Sequence, residues 1–451
     1  MHPKVNGEPT PADGCVSGDV GEPLTGNYFI STYPPFSTWT SEAVGAVSQM
    51  LHNPKAPSST PLGLYVHIPF CVERCRYCYY LSHAGKSRRH MDEYVDALAN
   101  ELRLYRDTPA LSNRNIRFVY FGGGTPSLLP SETLARLLER LQLIAPWTAA
   151  EEVCFECAPK TATTSKMKIL RDNGVTRLSL GVQTFNDDVL RQNGRIHLAA
   201  DVDRAYEAIR GAGFPVVNID LIVGLVGETE ASFMESVDHV IFMAPESVTI
   251  YQLEIPLNTP LCHALDTGST DIALISWPQK RRRLGIAFTR LEEAGYTVRS
   301  AYSAVRDEKK HAFIYQDALY HGADLLGLGV ASFSYLDGLH FQNVTSDKTY
   351  FEHVRCGELP IRRAYELDNE ERLIREFILQ LKLGHVDVDR LRNRFGVDPL
   401  GRFATPLEEL RQNRWIQSDA DGVTLSREGL LRVDRFLRLF YRSCHRNAKC
   451  S

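Results

Sequence analysis

The chain has 451 residues, 43% hydrophobic and 24% charged, with a formal net charge of −4. That length suits one large catalytic domain with a smaller appendage, and the balanced charge gives no electrostatic case for nucleic acid or an anionic membrane as partner. No run of about 18 apolar residues could span a bilayer, and Pro, Gly and acidic residues replace a signal peptide at the N-terminus, so a cytoplasmic location without a membrane partner is expected.

In chain order, residues 1–26 read as a flexible leader rich in Pro, Gly and Asp. Residues 27–63 form an aromatic segment, with Tyr28, Trp39 and the pair Pro34-Pro35, expected to pack on the main domain. From 64 to 275 apolar strands alternate with amphipathic helices, the pattern of a parallel α/β domain. The strand candidates are 64–69, 116–121, 152–157, 175–183, 216–223 and 247–253; the helix candidates are 90–106, 131–145, 161–173, 199–212 and 229–243. Leu134, Leu137, Leu138 and Leu141 recur at helical spacing. Six such units predict an open, partial (β/α)6 barrel. Strand parity points Arg177, Ser179, Gly181 and Gln183 to one face, and Asn218 and Asp220 to another polar face. Polar residues turned inward fit a lumen that holds a ligand, whereas an ordinary packed barrel is apolar inside.

Residues 276–366 read as a barrel extension, helical at first and irregular over 300–350. Residues 367–451 predict a mostly helical, winged-helix-like domain. Its helix candidates are 368–381, 387–395, 403–412 and 426–441, with a short strand at Gly422–Leu425. Such units often bind DNA, but the mixed charges favour packing or substrate capping.

Ten cysteines in a chain of this size are not a disulfide framework. Three of them, Cys71, Cys75 and Cys78, follow the first strand in the run His67-Ile68-Pro69-Phe70-Cys71-Val72-Glu73-Arg74-Cys75-Arg76-Tyr77-Cys78. Three thiolates leave one iron of a cubane cluster without a protein ligand, since a fully protein-bound cubane takes four. Zinc is the competing reading, with His67 or His83 as a fourth ligand. Cys154 and Cys157 lie three apart in a strand and point to opposite faces, so they make a poor second pair. The C-x3-C-x2-C spacing after a first barrel strand favours the cluster.

That spacing, with Tyr65-Val66-His67-Ile68-Pro69-Phe70 before it, resembles the radical S-adenosylmethionine (SAM) enzymes, in the branch typified by oxygen-independent coproporphyrinogen III oxidase; the likeness runs from about Tyr28 to Tyr441. It implies a radical SAM barrel whose [4Fe–4S] cluster, held by Cys71, Cys75 and Cys78, binds SAM. It further implies that Gly122, Gly123, Gly124 and Thr125 lie against the amino group of SAM, and that Tyr65, Glu156, Gln183, Arg195 and Asp220 contact the same molecule. The loop Gly327–Ser332, with Gly329 and Ala331, resembles a second-SAM loop. Glu254 and Gln252, at the end of the sixth strand, are candidates to orient substrate or move a proton. His197 and His311 fall in expected loops, where exposure is usual.

The coproporphyrinogen enzymes carry a fourth, non-ligating cysteine two residues past the third; Tyr80 stands there in this chain. With the long N-terminal segment, that departure resembles the class C methyltransferases and cyclopropanases of natural-product pathways. The expected reaction is then transfer of a SAM-derived methyl or methylene carbon, using two SAM molecules, to an sp² carbon of a small molecule. The alternatives are coproporphyrinogen III oxidation by oxidative decarboxylation and heme binding or trafficking. The expected partners are a small-molecule substrate and a one-electron donor such as flavodoxin or ferredoxin, with no nucleic acid, on a monomeric enzyme.

Overall fold

The computed structural model describes residues 22–26, 29–54, 59–267, 273–418 and 422–448. Most of the expected leader lies outside them. Its described end is packed: both carboxylate oxygens of Glu22 accept from Arg281, at 2.7 and 2.8 Å, and Gly26 bridges Ile255.

The six expected strands are β1 (Leu62–Ile68), β2 (Ile116–Gly123), β3 (Glu152–Cys157), β4 (Arg177–Gln183), β5 (Val216–Val223) and β6 (Ser247–Gln252). Between them run α1 (Arg88–Arg106), α2 (Ser131–Ile144), α3 (Thr164–Asp172), α4 (Ala199–Ala212) and α5 (Glu230–Met243). Neighbouring strands pair in parallel throughout, in the order β1-β2-β3-β4-β5-β6. This arrangement follows from parity. Leu178, Leu180 and Val182 turn outward into one core with Leu134, Leu137, Leu138 and Leu141 of α2, each buried side chain contributing about 1.5–3 kcal/mol. The alternate residues, Arg177, Ser179, Gly181 and Gln183, line a central cavity. The chain is an α/β partial barrel with an appended C-terminal helical domain.

The sheet continues on both sides, to twelve strands. After α6 (Trp277–Glu293), β7 (Thr297–Val298) and β8 (Ser303–Val305) extend it antiparallel beyond β6. On the other edge β9 (Asp324–Leu328) runs parallel to β1, followed antiparallel by β10 (Phe333–Leu336), β11 (Leu339–Asn343) and β12 (Ile361–Glu366). Residues 300–350 are therefore ordered sheet and helix, not irregular chain. Their pattern is concealed because β11 is buried along its whole length. His340 meets Thr32 Oγ1 and the Tyr33 carbonyl, and Gln342 accepts from Arg363, so polar residues there do not mark a solvent face.

The C-terminal domain opens with α7 (Asn369–Leu381), where Asp368 and Glu371 form a reciprocal capping box. It continues through β13 (His385–Asp387), α8 (Val388–Phe395), α9 (Ala404–Gln412), β14 (Ile416–Ser418) and β15 (Gly422–Leu425), whose strands pair in the order β13-β15-β14. The helix expected over 426–441 is broken into Arg427–Leu430, Val433–Phe436 and a 3₁₀ turn, Leu437–Phe440. The Leu431 carbonyl turns to the barrel and accepts from Gln252 Nε2 at 3.0 Å, which competes with the helical ladder. Ile30 and Tyr33 of the aromatic segment pack into the core of this domain. Among the described residues no helix is long and apolar enough to cross a membrane.

Candidate active site

A cavity of about 1150 Å³ occupies the lumen, and the three thiols stand in its wall. The loop that carries them is tied down at both ends. His83 N–H donates to the Pro69 carbonyl at 2.6 Å, Arg74 reaches the Cys78 carbonyl at 2.8 Å, and Arg76 N–H donates to the Asn193 carbonyl at 3.2 Å. His67, buried near the end of β1, holds the Tyr65 hydroxyl and the Leu81 carbonyl, each at 3.2 Å. Burial pushes its imidazole down to about 4, so it stays neutral and supports the loop.

Two of the thiols have polar neighbours: Cys71 Sγ lies 3.6 Å from Thr125 Oγ1 and Cys75 Sγ 3.3 Å from Arg195 Nη1. Cys154 and Cys157 face opposite ways, as parity requires: Cys154 sits among Glu152, Arg177 and Glu156, and Cys157 against Ser127 and Lys166.

Next to the thiols the chain passes extremely close to itself. Gly124 N–H donates to the Ile68 carbonyl at 2.8 Å and Thr125 N–H to the Phe70 carbonyl at 2.7 Å. A Cβ on Gly124 would lie 2.8 Å from the Phe70 carbonyl oxygen, and one on Gly123, whose φ is +116°, 2.5 Å from the His67 ring. Only glycine fits both positions. Gly123, Gly124 and Thr125 line the cavity; Gly122 does not, and lies under the Glu156 carboxylate instead.

Glu156 and Asp220 are among the carboxylates that face the lumen. Glu156 accepts from the Tyr120 hydroxyl at 2.5 Å and from Gly123 N–H at 3.2 Å. Burial pushes it up to about 7. Asp220 accepts from Ser179 Oγ and Asn218 Nδ2, both at 2.8 Å, and burial pushes it up to about 6. Both are hydrogen-bonded by neutral donors and neither makes an ion pair, although Arg177 and Arg195 act on Asp220 from a distance; a buried carboxylate so placed is costly unless a ligand supplies a cation. Arg195 donates to the Gly181 carbonyl at 2.6 Å, while its buried Nε has no partner. Gln183 has φ +73°, a strained value for a non-glycine residue. Unmet buried carboxylates, a guanidinium and a glycine cradle fit a small zwitterion that also carries a sulfonium, as SAM does, beside a cluster held by three thiolates.

The other candidates divide. Ala331, also left-handed at φ +59°, lines the cavity. Gly329 lies behind the cavity wall. Its N–H donates to Glu101 at 2.8 Å and its carbonyl accepts from Asn343 and Ser332, so it holds the loop and offers nothing to a ligand. Gln252 and Glu254 both line the cavity, and Gln252 Oε1 is buried without a partner. His197 is not exposed: it is 2% accessible and meets the Val182 carbonyl at 3.1 Å. A backbone acceptor from another strand cannot be read from local sequence. His311 is half-buried, and its carbonyl accepts from Arg177 at 2.7 Å. Sequence reasoning missed the aromatic lining from Phe313, Tyr315, Tyr320 and Tyr335, and the wall given by Arg375 and Leu379 of α7.

Comparison with known proteins matches residues 65–240 to the Radical SAM superfamily and residues 367–432 to the HemN C-terminal domain. The heme chaperone HemW of Bacillus subtilis is 29% identical over 372 residues, 81% of this chain and 96% of that protein. The oxygen-independent coproporphyrinogen III oxidase of Pseudomonas aeruginosa is 30% identical over 401 residues, covering 85% and 86%. The structure of coproporphyrinogen III oxidase (HemN) from Escherichia coli, described as a radical SAM enzyme, superposes with a TM-score of 0.79 at 26% identity over 91% of this chain and 96% of that one.

These matches overturn the methyltransferase or cyclopropanase reading and its natural-product substrate. The relatives that span more than four fifths of the chain are named for coproporphyrinogen oxidation and heme chaperoning. The reading rested on the long N-terminal segment and on Tyr80, which stacks on Tyr79 at 4.5 Å, accepts its hydroxyl hydrogen bond and lines the cavity. The chain belongs to the radical SAM superfamily, in the family of the oxygen-independent coproporphyrinogen III oxidases and the HemW heme chaperones.

Proposed function

We propose that the protein is a radical SAM enzyme that oxidatively decarboxylates a propionate side chain of a coproporphyrinogen-type tetrapyrrole. The observation that carries this reading is the cavity. At about 1150 Å³ it exceeds the roughly 300–1,000 Å³ of ordinary small-molecule sites. It runs from the thiols to walls made by the N-terminal aromatic segment and by α7, and likeness to the coproporphyrinogen oxidase structure extends over that whole arrangement.

The cluster and SAM supply a carbon-centred radical that takes one hydrogen atom. Loss of carbon dioxide and of one electron to an external one-electron acceptor then leaves a vinyl group. The chain's own residues position and exclude. Cys71, Cys75 and Cys78 would hold the cluster. Arg195 would pair with the SAM carboxylate, and Gly123 and Gly124 would let the backbone reach its amino group. Glu156 would face positive charge on the cofactor, Asp220 and Gln183 would take its hydroxyl groups, and Tyr65 would flank it. A second SAM would meet Ala331, and a flavodoxin- or ferredoxin-type protein would deliver the starting electron to a monomer. Gln252, tied to Leu431 through its amide nitrogen, and Glu254 orient the substrate. The aromatic walls keep water and stray hydrogen donors from the radical.

The test is anaerobic incubation of reduced enzyme with SAM and carboxyl-labelled coproporphyrinogen III. Labelled carbon dioxide and a vinyl-bearing product are expected; SAM cleavage without either would sink the reading. Tyr80, in place of the oxidase motif's cysteine, favours heme handling as a second reading. Tight stoichiometric heme binding without tetrapyrrole turnover would establish it.

A further inference from the structure

Arg375, on the cavity-facing side of α7, is 4% accessible and forms part of the cavity wall. Its Nε and Nη1 are buried without a hydrogen-bond partner. Its guanidinium carbon stands 3.8 Å over the ring of Tyr335 on β10, whose buried hydroxyl is also unpartnered. Two carboxylates lie nearby: Asp324 pairs with Arg114 at 2.7 Å, and Glu376, 3.3 Å from Arg394, has no hydrogen bond to either oxygen and acts on Arg375 only through space. Of the other cavity arginines, Arg177 meets Glu152 at 2.7 Å, Arg281 meets Glu22, and Arg363 meets Gln342 and the Phe36 carbonyl, while Arg195, whose buried Nε also lacks a partner, stands at the thiols. A buried guanidinium with no hydrogen-bonded anion is costly, and a planar fork of donors is matched by a carboxylate. His340, beside Tyr335 at 4.7 Å, stays neutral because burial, reinforced by Arg375, holds its imidazole well below the usual range.

The position adds a direction. Tyr335 pairs with Leu325, which pairs with Gly63 near the start of β1. The cysteines follow Ile68, five positions further on, or about 16 Å at the usual rise of a strand. Arg375 therefore serves the end of the cavity remote from the thiols.

We propose that Arg375, with the Tyr335 hydroxyl, is a carboxylate-binding subsite that anchors a non-reacting carboxylate arm of the substrate. This rests on the tetrapyrrole reading above, and it assigns the specificity for carboxylated side chains to α7. A ligand with carboxylates on both sides of a macrocycle can hold one at Arg375 while it presents another to the thiol end.

The test uses cluster-loaded full-length protein and two fluorescent probes, coproporphyrin III and its tetramethyl ester. The wild type is expected to bind the acid on the order of 10- to 100-fold more tightly than the ester, the worth of a hydrogen-bonded charge pair. Arg375→Gln should lose most of that preference with ester affinity unchanged, and Arg375→Lys should recover part of it. Tyr335→Phe should lose less. The ligand-free Arg375→Gln protein should stay folded, with the far-ultraviolet circular dichroism of the wild type, although it loses the stacking on Tyr335 and one of the cations that act on Glu376. An unchanged acid preference in Arg375→Gln overturns the subsite while leaving the tetrapyrrole reading intact. So does equal weakening of acid and ester with a lowered melting temperature. Failure of the wild type to bind either probe overturns the tetrapyrrole reading and the subsite with it.

Discussion

Substitution of Glu156 by Gln tests whether the lumen is built around a missing cation. In the protein this carboxyl is raised from 4.5 to about 7, chiefly by burial, with Asp220 adding to the shift. Folding thus favours the protonated form. The stability this brings is complete below pH 4.5 and is lost as pH rises through about 7. The difference corresponds to ~3 kcal/mol at pH 8, at about 1.36 kcal/mol per unit. Gln has nearly the shape and hydrogen-bonding of the protonated acid, so Tyr120 keeps its acceptor and Gly123 N–H faces a similar group. Glu156→Gln should match the wild type to about 1 kcal/mol near pH 5 and exceed it by ~1–3 kcal/mol at pH 8. Denaturant unfolding of cluster-loaded protein across that range, without SAM, measures both. With SAM present the order should reverse, because the positive ligand repays the wild-type carboxylate and not the amide; SAM affinity should fall about 10- to 100-fold in the variant. Parallel pH profiles for the two proteins, or undiminished SAM binding by Glu156→Gln, would refute the reasoning.

Three further outcomes are expected. Arg177→Met strands Glu152 in the barrel wall and frees the carbonyls of His311 and Ala312; unfolding should show a loss of about 3–5 kcal/mol, with increased hydrogen exchange over 311–315. Gly124→Ala places a Cβ 2.8 Å from the Phe70 carbonyl oxygen, so it should cost about 1–3 kcal/mol and lower iron incorporation on reconstitution. Cys75→Ala should abolish the brown visible absorbance and SAM cleavage while leaving the far-ultraviolet circular dichroism unchanged; retained SAM cleavage would exclude the cluster assignment.

Regular alternation made the barrel legible. Each of β1 to β6 lies within two residues of its expected limits, because every strand carries outward leucine, valine or isoleucine against a helix with apolar residues at matching spacing. The polar lumen was legible for the same reason, since parity alone separates Asp220 from Leu221. Periodicity fails where burial is two-sided or long-range. The polar side chains of β11 are satisfied by residues about 300 positions earlier and about 20 later, and nothing near them in sequence announces that. Arg375 reads as an ordinary exposed arginine of an amphipathic helix; only the sheet across the cavity takes its solvent away. The substrate was misread because Tyr80 beside the cluster and the long N-terminal segment were given more weight than the likeness along the rest of the chain.

The charges of the cavity explain why these positions remain unpaired. Glu156 is on β3 and Arg375 on α7, one next to the thiol loop and the other toward the start of β1. Opposite charges buried in one cavity would ordinarily be brought together, since each alone costs several kcal/mol after relaxation. Here rigid sheet and helix keep them apart, so the ligand-free protein gives up stability that a closed core would have. The arrangement repays that cost for ligands that meet Glu156 with a cation at the cluster end, where Arg195 also takes an anion, and meet Arg375 with an anion at the far end. An uncharged molecule of the same size would fill the volume and leave both charges unmet. Charge placement, more than cavity shape, then selects what binds, because a missing ionic partner is penalised more heavily than a missing apolar contact.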